Sequence, residues 1–135
     1  MFYRNLIMVI TKEILDELTA QAKDSPRLRM NYDLRDTSED ESQRMLNAIE
    51  PGTVMPIHRH MASLETIVCI RGHFQENLYD AHGNLVETID MLPGGAIVNV
   101  PAGQWHNLVS KESGTVLFEA KNGKYEPLRP EEIFE

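Results

Sequence analysis

The chain has 135 residues, of which 41% are hydrophobic and 25% are charged, and its formal net charge is -8. This length and composition are typical of one soluble globular domain with its own core. The acidic balance disfavours nucleic acid as a partner, and the single cysteine excludes an internal disulfide framework, which favours a cytoplasmic protein.

Residues 1–10 combine one basic residue with a short apolar run. The run is too short for a secretory signal, no small-residue cleavage site follows it, and no later stretch has the length to cross a membrane. We expect a β-strand here, or in part an upstream extension with Met8 as an alternative start. Because the unpaired edge of such a strand seeks a partner, the segment predicts a homodimer.

Residues 11–24 carry apolar side chains at helical spacing, and Ser25-Pro26 ends the pattern. The apolar stripe predicts a helix that packs on the outside of a barrel, since exposing it to water would be costly. We therefore expect an N-terminal extension over residues 1–35 and a barrel over residues 36–135, within a single domain.

From Arg44 onward, short apolar or alternating runs separated by turn residues predict an all-β barrel or sandwich. The acidic run at 36–41 before them is expected to be a solvated loop. Gly83-Asn84 and Pro93-Gly94-Gly95 predict hairpin turns, and the tail at 131–135 either caps a barrel end or extends freely. The predicted strands are 44–50, 53–57, 65–71, 73–79, 85–91, 96–100, 105–110 and 114–121.

Two blocks within these strands place histidines and a carboxylate at spacings that predict one metal site. Imidazole and carboxylate together suit borderline divalent ions, here Fe, Mn, Zn, Ni or Co. Side chains alternate along a strand, so His58 and His60 are expected to point to the same side. The first block contains Gly52, His58, His60, Glu65 and Gly72, and the second contains Gly95, Pro101, Gly103 and His106.

Other reactive residues have simpler interpretations. His73 and His82 are expected to lie on the surface. Cys69 shares the face of Glu65 by alternation, and its expected role is that of a small core residue rather than a neighbour of the metal. Trp105 is expected to point away from the metal and to pack.

Arg27, Arg29 and Arg44 form a basic group in an otherwise acidic chain. Guanidinium groups bind phosphate or carboxylate through paired hydrogen bonds, so this group predicts an anionic small-molecule substrate. Asn31 is a candidate for hydrogen bonds to sugar hydroxyls. The alternative for the arginines is pairing with the nearby acidic loop.

The two blocks resemble the paired motifs of the cupin superfamily, small jelly-roll barrels of the double-stranded β-helix type. The resemblance implies an all-β cupin barrel, here with an N-terminal α-helix, and it implies His58, His60, Glu65 and His106 as the metal ligands. The second block has Ser110 where the family usually has an asparagine that is not a ligand.

A closer resemblance, from about Met8 to about Leu128, is to the WbuC-type cupin-fold metalloproteins. It is carried by Ser25-Pro26-Arg27-Leu28-Arg29-Met30-Asn31, by Gln43-Arg44-Met45-Leu46-Asn47 and by Glu50-Pro51-Gly52. The chain has Tyr32, Asp33 and Leu34 where those proteins tend to have a histidine. The resemblance implies a role in surface-polysaccharide biosynthesis.

Two functions follow from the metal motif and the resemblance. The first is a metal-dependent enzyme acting on an anionic sugar or nucleotide-sugar-like metabolite by isomerase, epimerase, lyase or oxygenase chemistry. The second is a non-catalytic metal-dependent binding or sensor module for the same kind of metabolite. Both stay open, because the sequence singles out no general base beyond metal-bound water.

Overall fold

The computed structural model describes residues 7–135, and within that range one α-helix precedes eight strands and a short 3₁₀ helix. None of the helices in this range is long and apolar enough to cross a lipid bilayer. The elements are α1 (Lys12–Asp24), β1 (Arg29–Asp33), β2 (Ser42–Ile49), β3 (Glu65–Arg71), β4 (Phe74–Tyr79), β5 (Leu85–Met91), β6 (Ile97–Val100), β7 (Trp105–Ser110), β8 (Thr115–Asn122) and the 3₁₀ helix Pro130–Glu132.

The strands form two antiparallel sheets, one with the order β1-β2-β8-β3-β6 and one with the order β5-β4-β7. The prediction of an all-β fold with an N-terminal α-helix is therefore confirmed. The turn at Gly83-Asn84 joins the paired strands β4 and β5, as predicted. The prediction for Pro93-Gly94-Gly95 is wrong, because this turn carries the chain from β5 in one sheet to β6 in the other and is not a hairpin.

Two predicted strands differ from the structure. Residues 53–57 form no strand, because they run between the end of β2 and the metal-site segment without a ladder partner. Residues 7–10 are also not a strand. The remaining part of the predicted N-terminal strand, residues 1–6, lies outside the described residues.

The interior between the sheets is filled at one end by apolar side chains. Phe74 and Met91 are fully buried there, and Cys69 packs among the same residues, which confirms its expected role as a small core residue. Gly72, at the turn between β3 and β4, has φ +85, and a Cβ atom on it would collide with Thr115. Glycine is therefore required where this turn passes closest to β8.

The outer face of the larger sheet is covered by α1. Leu18 and Ala22 of the helix pack on Leu46, Ala48 and Val116 of the sheet. An arginine fixes this contact, because the Arg71 side chain donates hydrogen bonds to Asp16, Thr19 and the carbonyl of Leu15, at 2.6, 2.9 and 3.1 Å. The expected packing of the helix on the barrel exterior is thus observed.

The C-terminal tail folds back onto the barrel. Ile133 forms a β-bridge with His58, and the Phe134 amide donates to the carbonyl of Ile57 at 2.9 Å. The Phe134 ring meets the Trp105 ring edge to face, with centroids 5.3 Å apart. Of the two alternatives for the tail, the capping one is correct.

Candidate metal centre

His58 is positioned by a single antiparallel bridge to β7. The His58 amide donates to the carbonyl of His106 at 3.0 Å, and the His106 amide donates to the carbonyl of His58 at 2.8 Å. Residues opposite each other in such a pair direct their side chains to the same side. The bridge therefore brings together two imidazoles from distant parts of the chain, without the predicted strand at 53–57.

His60 is fixed by the loop before β7. Its carbonyl accepts a hydrogen bond of 2.9 Å from the amide of Gly103, whose φ of +85 suits glycine. Between the two histidines, Arg59 points the other way and places its guanidinium 4.2 Å from the centre of the Trp105 ring. Trp105 therefore packs away from the histidines, as expected.

The structure gathers all four predicted ligands. The ligand atoms of His58, His60, Glu65 and His106 lie within 4.8 Å of one another, and this cluster can hold a metal ion. Glu65 Oε1 lies 3.1 Å from His106 Nε2 and 3.9 Å from His60 Nε2. Three imidazoles and one carboxylate form a donor set suited to a borderline divalent ion.

Hydrogen bonds behind two of the rings leave their inner nitrogens free for a metal. His58 Nδ1 lies 3.0 Å from the carbonyl oxygen of Pro56, which only accepts, so Nδ1 carries the proton and Nε2 has the lone pair. His106 Nδ1 is 2.8 Å from Glu76 Oε1, and its buried Nε2, although 3.1 Å from Glu65 Oε1, forms no hydrogen bond among the described residues. A buried nitrogen without a partner is costly, and a metal ion would satisfy it.

The protonation states also fit a metal. Burial lowers the pKa of His58, His60 and His106 to about 4, so the rings are in the neutral form that metals bind. Burial, followed by the negative charge of Glu119, raises the pKa of Glu65 well above its ordinary value. A bound cation would lower the pKa of Glu65 again, because it favours the ionised carboxylate.

Glu76 contacts the metal cluster through His106 and was not predicted from the sequence. It is fully buried on β4, behind His106, and burial together with the charge of Glu119 raises its pKa to about 8. A bound metal cation would favour the carboxylate form of Glu76, and a carboxylate that accepts the second N–H of a ligating histidine fixes the ring and raises its affinity for metal. The signal was present in the sequence, because Glu76 shares the inward-facing alternation of Phe74.

The cluster opens into a cavity of about 470 Å³. Arg27, Arg29 and Asn31 line it, so three of the four predicted substrate residues lie together. The structure does not bring Arg44 to this group. Arg44 does not line the cavity and pairs with Asp40 of the acidic loop at 2.7 Å, which is the alternative that the sequence left open.

Two further charged side chains, Glu119 and Lys121 of β8, line the cavity beside the metal cluster and were not predicted. The other histidines stay outside it, as expected, since His73 pairs with Asp90 at 2.7 Å and His82 is exposed. At the variant motif position, the buried Ser110 donates a hydrogen bond of 2.9 Å to the carbonyl of Ile49.

Two facing antiparallel sheets with this cluster between them define a cupin-fold protein, and the solved structures that resemble the chain agree. By sequence, the chain belongs to the family described as a domain of unknown function (DUF6016), whose model matches residues 10–91. No functionally curated protein matches the chain.

Three solved structures illustrate the similarity of fold. KdgF from Halomonas sp. is 17% identical with a TM-score of 0.62, over 76% of this chain and 84% of that one. The capsular polysaccharide assembling protein CapF from Staphylococcus aureus is 19% identical with a TM-score of 0.67, over 82% of this chain but only 32% of CapF. The Schizosaccharomyces pombe Cnp3 cupin domain is 12% identical with a TM-score of 0.58, over 71% and 65% of the two chains.

Proposed function

We propose that this protein is a WbuC-type, metal-dependent cupin that acts on an anionic sugar or nucleotide-sugar-like metabolite in surface-polysaccharide biosynthesis. One observation carries the proposal. The four-residue metal cluster opens into a cavity of about 470 Å³ that also presents two arginines. This volume lies in the range of small-molecule sites, roughly 300 to 1,000 Å³.

The arginines support an anionic ligand. Arg29 is half-buried in the cavity wall, and burial, followed by the charge of Arg27, lowers the pKa of its guanidinium. Two cations held this close repel each other, and a phosphate or carboxylate between them would relieve the repulsion. Asn31, at the same part of the cavity, offers a hydrogen-bond donor and an acceptor for hydroxyl groups.

The polysaccharide part of the proposal rests on two likenesses. CapF, which shares the fold, is a capsular polysaccharide assembling protein, and the sequence resembles WbuC-type proteins. A cytoplasmic location and a homodimer complete the proposal.

Different residues of the cavity have different roles in the proposed function. His58, His60, Glu65 and His106 would hold a divalent ion, which when bound acts as a Lewis acid toward substrate oxygen atoms. Glu76 orients the His106 ring by accepting the hydrogen bond from His106 Nδ1. Arg27 and Arg29 bind the anionic group of the substrate. The apolar wall, which includes Met55, Ile67 and Leu108, excludes water from the ligand.

The test compares two arginines of the same chain. We expect the metal-loaded protein to bind and convert a member of a panel of nucleotide sugars and sugar phosphates. Arg29→Ala should weaken binding about 10-fold or more, the loss of a charge-assisted hydrogen bond, whereas Arg44→Ala should leave it unchanged because Arg44 lies outside the cavity. Calorimetry and product analysis measure the two properties.

The outcomes separate the alternatives. Binding without conversion would identify a metal-dependent binding module instead of an enzyme. Equal binding by wild type and Arg29→Ala would contradict the assignment of the arginines. Failure of every anionic sugar to bind would contradict the proposed function itself.

A further inference from the structure

Two charged residues of β8 face the interior directly beside the metal cluster. Lys121 is the register partner of Glu65 on one side and of Gln43 on the other, and Glu119 is the partner of Ile67 and Met45. Inward-facing positions of one strand are about 7 Å apart along it, so two long side chains can converge on one small ligand. Both residues line the cavity.

Lys121 lies beside the cluster, where its positive charge interacts with the carboxyl groups of Glu65 and Glu119. Within residues 7–135, its ammonium group forms no direct ion pair with either carboxylate. A half-buried lysine without a direct ion pair has hydrogen-bond donors available for an anion in the cavity beside it.

Glu119 has the complementary chemistry. The Asn47 amide donates to Glu119 Oε1 at 2.9 Å and holds the carboxylate against the cavity. Glu119 lies next to Glu65, yet it is not a member of the ligand cluster. The Glu65 side chain is a second hydrogen-bond partner of Glu119, and because a carboxylate has about four acceptor positions, capacity remains for a hydroxyl group of a ligand.

On the basis of the proposed function, we propose that the substrate presents a 2-hydroxy carboxylate to the metal, with Lys121 binding the carboxylate and Glu119 accepting a hydrogen bond from the neighbouring hydroxyl group. Carboxylate and hydroxyl oxygens on adjacent carbons match an ammonium donor and a carboxylate acceptor at adjacent inward positions. A polyol has no anionic group for Lys121 to bind. A simple carboxylate has no hydroxyl group to donate a hydrogen bond to Glu119. Aldonic acids are sugar acids of the required class, and their phosphate esters would also present an anionic group to Arg27 and Arg29.

The test uses the full chain loaded with Co(II), with the metal content of each variant measured first. Lactate, a 2-hydroxy carboxylate, is titrated against propionate, which lacks the hydroxyl group, and propane-1,2-diol, which lacks the carboxylate. Changes in the visible absorption of Co(II) report binding close to the metal. The variants are Lys121→Met, Lys121→Arg and Glu119→Gln, with the exposed Lys111→Met as the matched control.

We expect lactate to bind more tightly than either partial analogue. Lys121→Met should weaken lactate binding about 10- to 100-fold, the loss of a charge-assisted hydrogen bond, while diol binding stays unchanged and Lys121→Arg restores most of the affinity. Glu119→Gln should reduce the preference for lactate over propionate about tenfold and leave propionate binding intact. Lys111→Met should match the wild type.

Two results would overturn the inference, and only the second would also overturn the proposed function. If Co(II) binds but lactate has no preference over propionate, or Lys121→Met changes its affinity by less than about twofold, the 2-hydroxy carboxylate is wrong while the proposed function stands. If the wild-type protein takes up no Co(II), the metal-dependent function and this inference both fall.

Discussion

The two ends of the barrel interior have opposite chemistry, although the same strands build both. On β3, the inward positions run from Glu65 through Ile67 to Cys69, and on β8 they run from Lys121 through Glu119 to Leu117. The polar positions surround the metal cluster, and the apolar ones form the closed core. The apolar end stabilises the fold, because apolar burial drives folding. The polar end is suited to binding, because buried polar groups without hydrogen-bond partners gain from contact with a ligand.

A substitution in the closed core should change the stability of the protein more than any other change considered below. Phe74→Ala should lower the free energy of unfolding by about 3 to 5 kcal/mol, because it leaves a cavity at a fully buried position. The metal content of the protein that remains folded should not change. Denaturant titration and elemental analysis measure these two quantities.

Leu85→Ala on the exposed part of β5 is the control for Phe74→Ala, and it should change stability by less than about 0.5 kcal/mol. Loss of metal from folded Phe74→Ala would show that the two ends are not independent.

At the open end, the second prediction concerns the effect of Glu76 on metal affinity. Glu76→Gln should weaken metal affinity about 10- to 100-fold, because the amide holds the His106 ring less firmly than the carboxylate does. Competition with a chromogenic chelator measures the affinity. Glu87→Gln, at an exposed position of β5, should bind metal like the wild type, and an equal loss in both variants would remove the special role of Glu76.

The smallest effect is the pH dependence of the metal-free protein. The pKa of Glu76 is raised from 4.5 to about 8 in the folded state, so the folded state holds the proton more tightly than the unfolded state. Its stabilising contribution is complete below pH 4.5 and is lost as pH rises toward 8.

Relative to Glu76→Gln, which does not titrate, the wild type should therefore lose stability by up to about 1.4 kcal/mol from pH 6 to pH 7. Urea titrations of both metal-free proteins at the two pH values measure this difference. A wild type that gains stability relative to the variant over this interval would show that the pKa of Glu76 is not raised.

The sequence predicted the local features of the site well. The histidine spacing identified four side chains that the structure places in one cluster, and alternation correctly separated Trp105 from them. The pairing of His58 with His106 could not be predicted from the sequence. The bridge joins positions almost fifty residues apart, and such a contact leaves no periodic pattern in the sequence.

The sequence was less informative where a residue's face depends on the whole sheet. Arg44 lies on the same face of β2 as Leu46, which packs against α1, so it points away from the cavity that Arg29 lines. Glu76 and Glu119 each stand at an inward position next to an apolar neighbour, but only the fold shows that both positions reach the same polar end. A charged residue at an inward alternation position is the signal that would have identified them.

Elemental analysis decides whether the candidate metal centre holds an ion. We expect protein purified under native, anaerobic conditions to carry roughly one divalent transition-metal ion per chain, held by the described cluster, and we expect His58→Ala to lose most of it while the exposed His82→Ala retains it. Wild-type protein with only a trace of metal, or His58→Ala with the full wild-type content, would show that the described cluster is not a metal site.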